Sequence, residues 1–193
     1  MGEEKEAEVE YRRPLLSSRQ IGMIAAFGGL GFAWRALGLV IPLVPPYLLD
    51  IRETINVIAA FAGGPFVAIG VGILIGLPSS VPFCDVIYYP LAGILLSLVS
   101  KYVYRIREES NGLKALVVLT VVLLPVEALV LTIFNAELAL AGMVSFKAEM
   151  VASFGITYWL YAAQMIIPLW LCIRYFPDFM KPNWSWRGGE EEE

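Results

Sequence analysis

One acidic side chain, Glu127, lies within a long apolar run that reads ALVVLTVVLLPVEALVLTIF over residues 115–134. A carboxylate at this depth in a membrane is costly unless it faces a cavity or a polar partner. Glu127 is therefore a candidate ligand-binding residue. The alternative is an internal hydrogen bond to Thr132, Gln164 or another helix.

Two arginines, Arg35 and Arg52, could hold a carboxylate or phosphate, because the guanidinium group presents forked N–H donors. For Arg35 the alternative is a side chain that extends to the membrane interface. For Arg52 it is a local ion pair with Asp50 or Glu53. An acid at Glu127 and arginines near the surface would suit a ligand with a positive or donor group at one end and an acidic group at the other.

Aromatic and amide side chains complete the candidate site. Tyrosine and tryptophan rings suit stacking on a flat heterocycle, although aromatic belts at membrane interfaces are also common. Amides can orient a ligand or bond across helices. The predicted substrate-binding residues are Arg35, Tyr47, Asp50, Arg52, Tyr88, Tyr89, Glu127, Asn135, Tyr158, Trp159 and Gln164, with Tyr161 in the same aromatic cluster.

The composition indicates an integral membrane protein. Of 193 residues, 58% are hydrophobic and 17% are charged, and the mean hydropathy is +0.69. That balance is far more apolar than in an ordinary soluble domain. The absence of histidine excludes Ser-His-Asp and Cys-His catalysis and the usual histidine metal sites. With no paired catalytic carboxylates and no serine or cysteine beside a base, we expect no enzyme activity and no metal. We also expect no cofactor and no nucleic-acid partner.

The apolar runs predict an all-α fold, a bundle of about six transmembrane helices. The second and third runs are short and meet at Gly63-Gly64-Pro65, where proline suits a helix start. Residues 1–19 are predicted to form a polar cytoplasmic tail, 20–179 the membrane domain and 180–193 an acidic tail. The predicted helices are 21–41, 51–62, 66–77, 85–104, 115–134 and 151–173, with residues 135–150 as an interfacial connection.

A proline-rich segment follows the first helix. Pro42, Pro45 and Pro46 disfavour a helix in this segment, so we predict that residues 42–52 form a structured outer loop. Non-helical backbone near a membrane is tolerated only where protein covers it or water reaches it. We expect this loop to lie over the outer mouth of the bundle and to move when a ligand is captured.

Basic residues predict the orientation of the bundle. If six segments cross the membrane of the cell and both termini are cytoplasmic, eleven of the 14 basic residues lie inside, which follows the positive-inside rule. The proline-rich loop, Tyr88, Asn135 and the aromatic cluster then lie toward the outside. The eleven are Lys5, Arg12, Arg13, Arg19, Lys101, Arg105, Arg107, Lys114, Arg174, Lys181 and Arg187.

Small residues recur at a spacing of four on the first helix, at Ala25, Gly29 and Ala33. Such a face lets another helix approach closely, either from the same chain or from a second protein. With the loop sequence IPLVPPYLLDIRETINVIAAFAGGPFVAIGVGIL and its Gly64-Pro65 helix start, the chain resembles the substrate-binding (S) component of energy-coupling factor (ECF) transporters.

That resemblance implies a multi-pass plasma-membrane protein that captures a vitamin or related micronutrient with high affinity. The first helix would dock through Ala25, Gly29 and Ala33 on a transmembrane coupling subunit, and separate ATPase subunits would supply energy. The chain itself has no GxxxxGK[ST] phosphate loop. The alternative is a non-catalytic structural or assembly subunit of a larger membrane complex, in which Glu127 pairs internally and no cavity exists.

Overall fold

A computed structural model of the protein describes residues 16–42, 48–109 and 113–184, and they form a predominantly helical structure. The all-α class predicted from the sequence is confirmed, apart from one short antiparallel pair, β1 (Ile41–Pro42) with β2 (Leu48–Leu49). The helices are α1 (Ser18–Met23), α2 (Gly29–Ala36), α3 (Arg52–Gly63), α4 (Pro65–Gly76), α5 (Pro82–Glu109), α6 (Leu113–Leu140), α7 (Phe146–Ala152), α8 (Tyr158–Tyr175) and α9 (Pro177–Met180). One π turn, Ile24–Gly28, links α1 to α2, and another, Ser153–Thr157, links α7 to α8.

Two of the described helices, α5 and α6, are long and apolar enough to cross a membrane. A third candidate is formed by α7 and α8 if they are taken as one span with a bend of 48° between them. Large apolar side chains such as Leu98 and Val121 are exposed on these helices, as expected where a helix faces lipid.

The first helix ends at Ala36 and not at residue 41 as predicted. Gly38 has a φ of 69°, and its N–H group donates to the carbonyl of Arg35 while that of Leu39 donates to the carbonyl of Trp34. These two bonds form a Schellman cap, which ends a helix at a left-handed glycine. The extra residues of the apolar run therefore belong to the following loop.

The short helices α3 and α4 form the predicted hairpin, with its turn at Gly64 and with Pro65 at the start of α4. Each has 12 residues and is thus about 18 Å long, which is less than the ~30 Å hydrocarbon core. The positive φ of Gly64, 83°, allows the sharp reversal.

The C-terminal segment packs beneath this hairpin. The Trp184 ring lies so close to Gly64 that a Cβ there would approach it to 2.5 Å, and Trp184 Nε1 donates to Ser100 Oγ at 3.4 Å. Met180 and Trp184 are both buried. The folded part of the chain therefore continues beyond the predicted boundary at residue 180.

The sixth helix of the structure, α6, continues to Leu140, so the prediction of an interfacial connection over residues 135–150 is wrong at both ends. Asn135 and Glu137 are part of α6, and Phe146 already begins α7. The helix continues because residues 135–140 include no glycine or proline, and the chain turns only at Gly142, where φ is 71°.

Candidate functional site

A cavity of about 320 Å³ lies at the end of the bundle where α2 and α6 end and α3 and α5 begin. Its lining comes from segments that are far apart in sequence. The residues that line it are Arg35, Asp50, Arg52, Glu53, Ser79, Ser80, Val81, Asp85, Tyr88, Tyr89, Leu131, Phe134, Asn135, Leu138, Met143, Val144, Ser153 and Tyr161. Charged, aromatic and apolar groups thus line one cavity.

Arg52 lies between two carboxylates on one wall of this cavity. Its Nε donates to Asp50 Oδ2 at 2.6 Å, and its Nη2 lies 3.4 Å from Asp85 Oδ2. All three side chains are buried. Because a buried charge is stable only with partners, this arrangement balances the guanidinium internally.

Two further contacts hold the same guanidinium. Its Nη1 donates to the carbonyl oxygen of Ile75 at 2.6 Å, and its Cζ lies 5.1 Å above the ring centre of Tyr89. Arg52 therefore connects the first turn of α3 with the end of α4 and with the start of α5. The sequence offered a local pair with Asp50 or Glu53 as an alternative role for Arg52, and the structure forms the pair with Asp50.

Tyr88 connects two buried acids, Glu53 and Glu127. Its hydroxyl lies 3.1 Å from Glu127 Oε1, 3.2 Å from Glu127 Oε2 and 3.2 Å from Glu53 Oε1. Glu127 is fully buried behind Tyr88, and Glu53 lines the cavity. The internal partner of Glu127 is thus Tyr88 and neither Thr132 nor Gln164.

Aromatic rings cluster around this carboxylate pair. The rings of Tyr88 and Tyr89 meet edge to face with 5.1 Å between their centres, and those of Tyr88 and Phe134 do so at 5.7 Å. Ring faces of this kind can stack on a planar ligand or contact a cation. On α6, the Asn135 amide donates to Ser153 Oγ at 3.1 Å, so it joins α6 to the π turn between α7 and α8.

Four of the predicted binding residues that the structure describes do not line the cavity: Glu127, Tyr158, Trp159 and Gln164. The Tyr158 hydroxyl donates to the carbonyl of Leu124 at 2.8 Å, and Trp159 is 59% exposed on the outer surface of α8. The Gln164 amide donates to the main-chain carbonyl of Asp50, so it anchors the start of α3. Tyr47 lies outside the described residues.

The site includes two acids, Glu53 and Asp85, that the sequence did not single out as ligand-binding residues. Asp85, Tyr88 and Tyr89 are spaced i, i+3 and i+4 at the start of α5, and this spacing places them on one helix face. That pattern could have indicated Asp85. Glu53 gave no such signal, because its neighbour Glu127 comes from a different helix.

The small-residue face of the first helix, Ala25, Gly29 and Ala33, is exposed. A Cβ added at Gly29 would meet no atom within 4 Å, whereas one at Gly28 would meet Leu74 at 2.5 Å and one at Gly31 would meet Ile75 at 2.4 Å. The close contact with α4 thus uses Gly28 and Gly31, and the predicted face stays open.

Within residues 16–42, 48–109 and 113–184, no group of three or more acidic or cysteine side chains is placed to hold a metal ion. No family model, no curated protein and no solved structure matches this chain.

Proposed function

We propose that this chain is the membrane-embedded substrate-binding subunit of an ECF-type transporter and captures a small vitamin-like molecule with high affinity. The cavity carries the proposal. Its volume of about 320 Å³ falls at the lower end of the range of small-molecule sites, and its lining combines apolar surface with a few polar groups, as such sites do.

In this proposal the six segments that begin at α1, α3, α4, α5, α6 and α7 all enter the bilayer of the plasma membrane, and both termini are cytoplasmic. The chain reverses direction between successive segments, so the start of α1 and the ends of α5 and α8 share the end opposite the cavity. Two contacts support that placement: Arg19 Nη2 donates to the carbonyl of Phe179 at 2.8 Å, and the Tyr104 hydroxyl donates to that of Pro177 at 3.2 Å.

Basic residues concentrate at that end, which is why we assign it to the cytoplasm. Among the described residues, Arg19, Lys101, Arg105, Lys114 and Arg174 lie in the helix turns nearest to it. Cytoplasmic ends of membrane helices carry such an excess of lysine and arginine. The cavity then opens toward the outside, where a captured nutrient would arrive.

The open face of Ala25, Gly29 and Ala33 supports the proposed partner. Small side chains permit a second transmembrane helix to approach closely, and in lipid such packing stabilises helix association. A coupling subunit would dock there, and its ATPase subunits would be supplied by other chains. Movement of the loaded bundle against that subunit would deliver the substrate.

A structural or assembly subunit is the second candidate function. It is favoured by the internal partners of Glu127 and Arg52, which satisfy these groups without a ligand. The same role needs no cavity, however, and the structure contains one. We therefore place it second.

The test is mass spectrometry of small molecules released by denaturing the full chain after purification in mild detergent and incubation with pooled vitamins. A Leu131→Trp variant fills the cavity, since Leu131 is 4% exposed and lines it. A Leu129→Trp variant is the matched control, because Leu129 is on the same helix and 51% exposed.

A vitamin released in stoichiometric amount by the parent and by Leu129→Trp, but not by Leu131→Trp, supports capture in this cavity. Release of nothing by any of the three proteins would overturn the proposal and favour the structural role. Release by all three in equal amounts would place the bound molecule elsewhere.

A further inference from the structure

The cavity contains more negative than positive groups. Its lining includes three carboxylates, those of Asp50, Glu53 and Asp85, and two guanidinium groups, those of Arg35 and Arg52. Arg52 is already balanced by Asp50 and Asp85. Glu127 adds a fourth carboxylate directly behind Tyr88.

Glu53 and Glu127 form a close pair. Both lie within hydrogen-bonding distance of one hydroxyl, so their oxygens cannot be farther apart than the sum of the two distances, 3.2 Å and 3.1 Å. In the described part of the chain neither takes part in an ion pair. Two buried carboxylates at this separation are stable only if they share a proton or face a cation.

Tyr88 cannot satisfy both acids. A phenol has a single O–H donor, whereas three carboxylate oxygens lie around it. Of the remaining oxygens, Glu53 Oε2 has no hydrogen-bond partner among the described residues, although only 7% of the Glu53 surface is exposed. A buried acceptor without a partner is costly, so the site is incomplete at this atom.

Aromatic groups line the same cavity as Glu53. They are Tyr88, Tyr89, Phe134 and Tyr161. Aromatic faces attract cations through their negative quadrupole, and this attraction strengthens where water is excluded. Acid and aromatic groups therefore favour the same kind of ligand.

We propose that the substrate captured in this cavity is an organic cation whose ammonium or positively charged ring nitrogen binds Glu53 at Oε2, with Glu127 as the second negative charge. This inference rests on the proposed capture function and specifies its substrate class. Arg52 already donates three of its five N–H groups to protein oxygens, and Asp50 and Asp85 balance its charge, so we assign it a positioning role.

The test is equilibrium binding of a charge-sorted vitamin panel to the full chain in detergent. Thiamine and pyridoxamine are the cations, pyridoxine and riboflavin are the neutral compounds, and biotin and pantothenate are the anions. Pyridoxamine and pyridoxine form a matched pair, since they differ by one ammonium in place of a hydroxyl. We expect at least one cation to bind. Where a cation and its neutral counterpart both bind, the cation should bind at least about tenfold more tightly.

Variants of the protein then test whether Glu53 is the acid that binds the cation. Glu53→Gln keeps the shape of the side chain and should weaken binding of the cation at least about tenfold, whereas Glu53→Asp should retain part of the affinity. Glu137→Gln is the matched control, because Glu137 also has a buried oxygen without a partner in the described residues but does not line the cavity. It should leave the affinity unchanged. Removing a buried charge should not lower the unfolding temperature, so Glu53→Gln remains a folded protein.

The outcomes separate the two proposals. Selective binding of a neutral or anionic vitamin would overturn the charge inference and leave the capture function standing. Equal loss of affinity in Glu53→Gln and Glu137→Gln would also overturn the charge inference. Failure of every compound to bind would overturn both.

Discussion

The Nη1 atom of Arg52 donates a hydrogen bond of 2.6 Å to the main-chain oxygen of Ile75 and thereby ties the first turn of α3 to the last turn of α4. The same guanidinium binds Asp50 and Asp85. One side chain thus holds three segments of the cavity wall in place. Its role is to position the site, which leaves Glu53 as the acid of the cavity lining that forms no ion pair in the described part of the chain.

Replacing Arg52 by methionine should lower the free energy of unfolding by about 3–5 kcal/mol, because Asp50 and Asp85 would stay buried without their cation. Denaturant titration in mixed micelles measures this change. Arg35→Met is the control and should cost far less, since Arg35 is only half-buried. Equal effects of the two substitutions would contradict the positioning role of Arg52.

Gly72 marks a close approach of α4 to α5. A Cβ at this position would lie 2.5 Å from the backbone nitrogen of Pro90, and backbone atoms cannot move aside as a flexible side chain can. Gly72→Ala should therefore destabilise the protein by about 1–3 kcal/mol. Gly29→Ala, where no atom lies within 4 Å, should be neutral or stabilising by up to about 1 kcal/mol. Thermal unfolding in detergent compares them, and a stable Gly72→Ala protein would show that this contact is looser than the structure has it.

Two aromatic residues of the predicted site should differ in their effect on ligand binding. Tyr88→Phe removes the hydroxyl that positions Glu53 beside Glu127, so Glu53 is no longer held in place and substrate binding should weaken about tenfold. Trp159→Ala should leave affinity unchanged, because Trp159 is on the exposed face of α8. Calorimetry with the vitamin identified by mass spectrometry measures both. A large loss of affinity in Trp159→Ala would mean that the site extends beyond the described cavity.

A bulky side chain on the small-residue face should uncouple capture from transport. Gly29→Leu leaves the cavity untouched, so substrate affinity should be retained, while the proposed coupling subunit could no longer approach the first helix. The measurement is the amount of a polytopic coupling subunit and its ATPases that co-purify from native membranes. Val121→Leu, on the exposed face of α6, is the control and should co-purify normally. Unchanged co-purification in Gly29→Leu would place the docking face elsewhere.

Sequence patterns predicted the parts of the structure that depend on local physical chemistry. The apolar runs predicted helices at the positions of α3 to α6, and Gly63-Gly64-Pro65 predicted the hairpin turn, because proline and glycine act on the backbone of their immediate neighbours. The spacing of Ala25, Gly29 and Ala33 left open whether this face packs within the chain or against a second protein, and the structure leaves it exposed. Helix ends were less predictable, since a left-handed glycine such as Gly38 can cap a helix before an apolar run ends.

Which polar groups meet depends on the packing of helices that are distant in sequence. Glu53 and Glu127 are 74 positions apart and share Tyr88 from a third helix, so no local spacing could reveal the pair. The same holds for Arg52 with Ile75 and Asp85, and for Trp184 beneath Gly64. The amino-acid sequence was sufficient to predict an apolar, helical protein with few charges in its helices. The packing of the helices gathers several of these charged side chains around one cavity, because buried polar groups are stable only where the fold brings their partners to them.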